Sequence, residues 1–228
     1  MPLSTVHAHR CAALRGLAAA SLAALSVTVS TPPAHAAETL PVEEAVTRLP
    51  VATESRDGYD RDAFRHWNRG DDPSDGCSTR NEVLIADAVE APAVGPGCRL
   101  SSGRWWSYYD QVWVMSPAGL DIDHMVPLAE SWDSGASAWS AERREAYAND
   151  QGAATSLVAV TARSNRSRAD QVPAQWLPPA AEVHCRYIAE WVATKLRWNL
   201  TADEMEVAAL REAASNCPDQ SVTYEPAT

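Results

Sequence analysis

The chain has 228 residues, 46% of them hydrophobic, which is enough for one domain with a real core. Its formal net charge of −11 excludes a general electrostatic attraction to nucleic acid and favours solubility and divalent cations.

The first residues read as an address. His7, His9, Arg10 and Arg15 make a polar, basic start, Leu17 to Val29 is a run of small apolar residues, and Ala34-His35-Ala36 is a small-x-small cleavage pattern. That sequence of features predicts a secretory signal peptide over residues 1–36 and a mature chain starting near Ala37. A membrane anchor fits less well, because the run is short for a span and no stop-transfer pattern follows. Loss of Arg10 and Arg15 with the signal takes the charge from −11 to near −13. The expected location is therefore extracellular, with no membrane contact after cleavage and a monomer as the expected state.

Four cysteines remain once Cys11 is lost with the signal: Cys77, Cys98, Cys185 and Cys217. An even number in an exported chain favours two disulfides. Four cysteines allow three pairings, of which the pairing of sequence neighbours, Cys77 with Cys98 and Cys185 with Cys217, is the one adopted. A four-cysteine zinc site has no C-x-x-C pair to support it.

In chain order, residues 37–55 contain Pro and Glu and read as loosely ordered, with a short helix at Val42–Leu49; residues 56–228 read as a single domain. Asn81–Val89 suits a helix or a buried strand, and Ala91–Cys98, "APAVGPGC", reads as loop. Trp105–Met115 is aromatic and β-branched, as strands are, and Ser116–Gly119 is a turn leading to a returning strand at Leu120–Val126. After Pro127 the pattern turns helical, with Ser140 as an N-cap and Glu142 in the first turn. Leu157–Val160 reads as a short apolar strand. Glu182–Leu196 carries Cys185, Ile188, Val192 and Leu196 on one face of an amphipathic helix, and Thr201–Glu204 reads as a capping box opening the last helix.

The stretch Gly119–Trp132, "GLDIDHMVPLAESW", sets Asp121, Asp123 and His124 among apolar residues. Charged groups rarely sit in such company without a partner or a metal. Strand alternation puts Asp121 and Asp123 on one face and Ile122 and His124 on the other, so a strand end or bend is needed to bring Asp123 and His124 to one site. A carboxylate beside an imidazole suits metal binding and proton removal from water, although a bare Asp-His pair is more often a solvated strand end.

Downstream lie a short strand, then "NRSRAD" and "WLPP". This order, with "YDRDAFRHW", "GCSTRNEVL", "DIDHMVPLAESW" and "YAND", resembles the HNH endonucleases, the ββα-metal or His-Me finger fold. More narrowly it is similar to exported bacterial HNH proteins related to the GmrSD-type nuclease domain, from about Pro41 to Cys217. The fold this implies is α+β, a ββα-metal (HNH) finger embedded in a mainly helical single domain with two disulfides. The resemblance makes His124 the general base, Asp123 a ligand of a single metal and Asn165 its partner ligand from the finger helix, with Asp121 nearby in a supporting or ligating position. Ser156 stands where the family has an Asn or His that orients the base; Asn149 is the other residue near that place. Arg168, where the family more often has lysine, would hold a phosphate or be a solvated helix charge. Oxygen ligands suit Mg²⁺ or Mn²⁺.

The function implied is metal-dependent hydrolysis of nucleic acid, DNA before RNA. Two rivals stand beside it: an exported binding module of the same fold without catalysis, and a hydrolase of another phosphoester. Arg80, Arg104, Arg166 and Arg168 gathered around one cleft would favour the nuclease, and their dispersal the module. His66, in "FRHWNRG", reads as a packed histidine. Trp105, Trp176 and Trp191 read as core.

Overall fold

A computed structural model describes residues 36–228. The signal peptide expected over residues 1–36 therefore lies, apart from its last residue, outside the described part. None of the described helices is long and apolar enough to cross a membrane.

The segment expected to be loosely ordered is part of the fold. Strand β1 (Glu38–Pro41) pairs antiparallel with the last strand, and helix α1 (Val42–Thr47) buries Val42, Ala45 and Val46 in the main core. Apolar residues at positions 42, 45, 46 and 49 lie on one helical face, so this short helix gains its stability by packing rather than by its length. An extended stretch then leads to a single 3-10 turn, Arg61–Ala63.

Helix α2 (Thr79–Ala86) and strand β2 (Ala88–Glu90) share the segment that read as either, and the expected loop contains strand β3 (Ala93–Gly95), which pairs with β4 (Arg99–Ser101). The predicted strand Trp105–Met115 is a hairpin, β5 (Arg104–Ser107) and β6 (Val112–Val114), turning through Tyr108–Gln111. Strand β7 (Leu120–His124) is followed by helices α3 (Leu128–Asp133) and α4 (Ala141–Ala148); the Ser140 hydroxyl caps α4 by accepting from the Arg143 amide, as its position predicts. Strand β8 (Leu157–Thr161) runs directly into α5 (Ala162–Arg168), and the chain ends in α6 (His184–Trp198), α7 (Glu204–Ser215) and β9 (Ser221–Tyr224). The cap of α7 is Asp203, which accepts from the Glu206 amide; Thr201 instead donates to the Ser134 carbonyl.

Both sequence-neighbour disulfides are present. Cys77–Cys98 ties the start of α2 to the β3–β4 hairpin, and Cys185–Cys217 ties the start of α6 to the residue just beyond α7.

The centre of the molecule is the antiparallel pair β7–β8, registered so that Asp121 faces Val160, Asp123 faces Val158 and His124 faces Leu157. Each side of this two-stranded sheet belongs to a different core. Leu120, Ile122, Leu157 and Ala159 pack with Val83, Leu84 and Trp105 in a small cluster, while Val158 and Val160 join the large core built on α1, α6 and α7. The strand that reads as a continuous apolar run is buried on both faces. Helix α5 packs on β7 and β8, completing a β-β-α unit. Trp105 and Trp191 are fully buried and Trp176 packs at the rim of the large core.

Candidate active site

Strand alternation divides the three ionisable residues of β7 as their spacing predicts. Asp121 and Asp123 face α5, and His124 faces the small-core side. They meet because regular pairing ends at His124: one cavity of about 280 Å³ at that strand end is lined by Ile122, Asp123, His124 and Leu128, by Asn165, Arg166, Ala169 and Asp170 from α5 and its exit, and by Arg61 from the 3-10 turn. The structure thus brings Asp123, His124 and Asn165 to one place, from a strand and a helix some forty residues apart.

Asp123 is buried, and its Oδ2 accepts from the Tyr109 hydroxyl at 2.7 Å and from Nη1 of Arg168. Burial pushes the Asp123 carboxyl up, and the guanidinium and the Tyr109 hydroxyl act against that rise. Burial also raises Tyr109 well above its ordinary value, so the hydroxyl stays a donor. Arg168 is completely buried. Besides Asp123 it donates to the His124 carbonyl at 2.9 Å, to the Met125 carbonyl and, through Nε, to the Tyr187 hydroxyl at 2.9 Å. The phosphate-holding role expected of Arg168 is therefore ruled out by position, because all three guanidinium nitrogens are spent on fixing the end of β7. Asp121 is half-buried and accepts from Nδ2 of Asn165 at 3.4 Å and Nε of Arg166 at 3.2 Å.

His124 is held from the other side. Its Nε2 lies 2.9 Å from the Ala148 carbonyl, and a carbonyl can only accept, so Nε2 carries the proton and Nδ1 keeps the lone pair. The Trp67 ring lies 5.3 Å away, inclined by 31°, and the His66 ring 6.4 Å away. Burial drives His124 down to about 3, so the ring is neutral near pH 7. Ser156 does not orient it. Its hydroxyl donates to Asp150 at 2.6 Å, and its carbonyl accepts from the Met125 amide. The Asn149 amide is likewise bonded elsewhere, to Arg65, Asn68 and Glu145.

The orienting group is a backbone carbonyl, and the "YAND" segment explains how it is held. Tyr147 donates to the Val126 carbonyl; Asn149 donates to the carbonyls of Arg65 and Glu145 and accepts from the Asn68 amide. Asp150 accepts from Ser156, Arg197 and Trp198, and these bonds outweigh burial to hold its carboxyl below the usual range. Asn149 thereby clamps residues 65–68 against the end of α4, with Trp67 in the left-handed region (φ 59°), which few side chains adopt unforced. His66, which reads as a packed histidine, is half-buried and donates from Nδ1 to the Phe64 carbonyl beside this site.

The oxygens left over fit a hard divalent cation. Among the described residues no hydrogen bond falls on Oδ1 of Asp123 or on the side-chain oxygen of Asn165, whose Nδ2 is turned to Asp121. One carboxylate and one amide oxygen suit a hard cation such as Mg²⁺ or Mn²⁺, which keeps several waters. A second acidic group, Glu54, Glu130 and Glu206, brings carboxylate oxygens within 4.8 Å of one another, but the Lys195 ammonium sits among them, 2.8 Å from Glu130 and 2.6 Å from Glu206, and already supplies the cation.

The four arginines proposed as a phosphate cluster are dispersed. Arg80 donates to the Leu120 carbonyl, Arg104 pairs with Glu90 and lies over Trp113, Arg168 is sealed in, and only Arg166 lines the cavity.

The model of a family described as GmrSD restriction endonucleases, C-terminal domain, matches residues 72–213, more than half of the chain. The chain belongs to that family. The GmrSD match includes β7, β8 and α5 and so Asp123, His124 and Asn165, and it begins after the 3-10 turn that carries Arg61. A protein of the fungus Arthroderma benhamiae, called an uncharacterized secreted protein, is 34% identical over 202 residues, covering 88% of this chain and 96% of the relative. No solved structure matches.

Proposed function

We propose that this GmrSD-family chain is a secreted, HNH-type endonuclease that hydrolyses phosphodiester bonds of nucleic acid, DNA in preference to RNA, with one divalent metal ion. The observation that carries the reading is the convergence of Asp123, His124 and Asn165 on one cavity. His124 takes a proton from water at Nδ1, while the Ala148 carbonyl keeps Nε2–H in place and so fixes both tautomer and ring. A substrate phosphate would favour the charged imidazole, and a cation on Asp123 and Asn165 would oppose it. Asp123 and Asn165 would hold the metal through their free oxygens, and Arg168 and Tyr109 fix the Asp123 carboxylate for that purpose. A bound divalent cation would neutralise the charge that develops on the leaving oxygen. Secretion is supported by the two disulfides, by the apolar run before Ala37 and by the relative's description.

A plasmid-degradation assay with Mg²⁺ or Mn²⁺, repeated in EDTA, tests the reading. Wild type should cut only with metal, and His124→Ala should lose about 10²–10⁴-fold in rate. Equal cutting in EDTA, or by His124→Ala, would refute it. The dispersed arginines favour the rival, an exported binding module of the same fold without catalysis; that rival predicts no cutting under any metal condition.

A further inference from the structure

With Arg168 sealed in the core, the proposed nuclease lacks the cation that was to hold its substrate's phosphate. An acidic protein cannot supply it by its overall field, so a local group on the cavity wall has to. Two arginines line the cavity, Arg61 and Arg166. Arg166 is paired with Asp121 at 3.2 Å. The exposed carboxylate on the cavity wall, Asp170, is paired with Arg56 at 3.7 Å. Arg61 is exposed to the cavity and, among the described residues, has no carboxylate within ion-pair distance.

Its place is fixed by the backbone and not by its own side chain. The Asp60 carboxylate accepts from the Asp62 amide, the Asp60 carbonyl accepts from the Ala63 amide, and the Arg61 carbonyl accepts from the Phe64 amide. Phe64 is fully buried between Trp132 and Tyr147, at centroid distances of 6.3 and 6.2 Å, and anchors the turn. Two and three residues on, His66 and Trp67 pack beside His124. The segment "YDRDAFRHW" thus hangs on Phe64, with the base's neighbours on one side and, on the other, a guanidinium that meets the Tyr59 hydroxyl but no carboxylate. The cavity, about 280 Å³, holds a phosphate group and several waters of ~30 Å³ each.

We propose that Arg61 binds the substrate's phosphate in the cavity shared by Asp123, His124 and Asn165. This rests on the reading of that cavity as a nucleic-acid site. It assigns the anion-binding role to a residue that lies before the segment matched by the family, residues 72–213. A guanidinium offers a planar, two-pronged donor to a phosphate, which an ammonium does not.

The test uses the full mature protein and a fluorescent single-stranded oligonucleotide. Anisotropy titrations in EDTA at several KCl concentrations give the salt slope, and metal-dependent cleavage gives kcat/KM. Arg61→Ala should lower the magnitude of the slope of log K against log salt by about 0.7, one phosphate contact on a single strand, and lower kcat/KM by about 10²-fold. Arg61→Lys should keep the slope and lose part of the rate. Arg211→Ala, which removes the same charge from the exposed face of α7, should change neither, and the melting temperature of Arg61→Ala should equal wild type. If wild type cuts and Arg61→Ala matches it within about twofold with an unchanged slope, the proposal is overturned and the nuclease reading stands. If wild type never cuts but its slope still falls in Arg61→Ala, the nuclease reading fails and the anion site stands. If wild type neither binds nor cuts, both fall.

Discussion

Asp123 carries two opposed demands, a buried position and a charge. The Arg168 guanidinium reconciles them, because a buried ion pair is tolerable when its remaining donors are also satisfied, and here they are bonded to two carbonyls and a tyrosine. Removing one partner leaves the other charge buried alone. Arg168→Met should therefore lose about 3–5 kcal/mol in urea unfolding, whereas Arg61→Ala should not. A loss below about 1 kcal/mol would mean that water reaches Asp123 without help. The same pair gives the basic residue at position 168, one turn after Asn165 on α5, its place: it holds the end of β7. The histidine shows the converse. Its partner is the Ala148 carbonyl, which any residue could supply, so no side chain at Ser156 or Asn149 marks it.

At the scale of elements, α6 and α7 form an antiparallel pair stapled at its open end. Asn199 turns the chain in the left-handed conformation at one end, and Cys185–Cys217 closes a loop of 32 residues at the other. Trp191 donates to Glu206 between them. In the chain-entropy account such a loop contributes about 3–4 kcal/mol. The Cys185→Ser/Cys217→Ser variant should lose about that much in denaturant unfolding, with the proposed cleavage at low temperature retained because the cavity lies on β7 and α5. Unchanged stability would show that packing alone holds the pair. The β1–β9 pairing and α1 matter in the same way: a segment rich in Pro and Glu is ordered because β9 offers it an edge and the core offers its apolar face a place.

Across the whole molecule, the N-terminal segment is docked over a buried charge cluster. Glu54 faces Glu130 on α3, Lys195 on α6, and Asp203 and Glu206 at the start of α7, and its Oε1 has no hydrogen-bond partner. Burial, with repulsion from Glu130, pushes Glu54 up to about 8; burial pushes Glu206 up to about 7. Both lie above the ordinary carboxylate value of 4.5, so the folded state binds more protons than the unfolded state between those limits. Stability from these groups is complete below about pH 4.5 and is lost as pH rises through 7 and 8. Wild type should thus fall by several degrees in melting temperature between pH 5 and 9, and Glu54→Gln, which keeps the proton's place without its charge, should flatten much of that fall. A wild-type curve that rises over the same range would contradict the assignment.

Spacing and residue type alone determined a good deal. The period-2 pattern of "LDIDH" fixed which side chains share a face of β7, the apolar run at 157–160 fixed a strand, and the sequence-neighbour cysteines paired as their spacing suggested. That Asp123, His124 and Asn165 would share one cavity was implied by the resemblance of their order to the HNH endonucleases, not by residue type alone. Other features were decided only by tertiary structure, and for one reason: they depend on what a group meets, not on what it is. A guanidinium reads the same at positions 61 and 168, yet one faces an open cavity and the other a buried carboxylate. The carbonyl that orients His124 has no letter of its own, and the helix or strand choice at 81–89 was settled by where α2 and β2 find partners. Local sequence sets the periodicity and the chemistry of each side chain; burial and partner geometry, which arise only when distant segments meet, set its role.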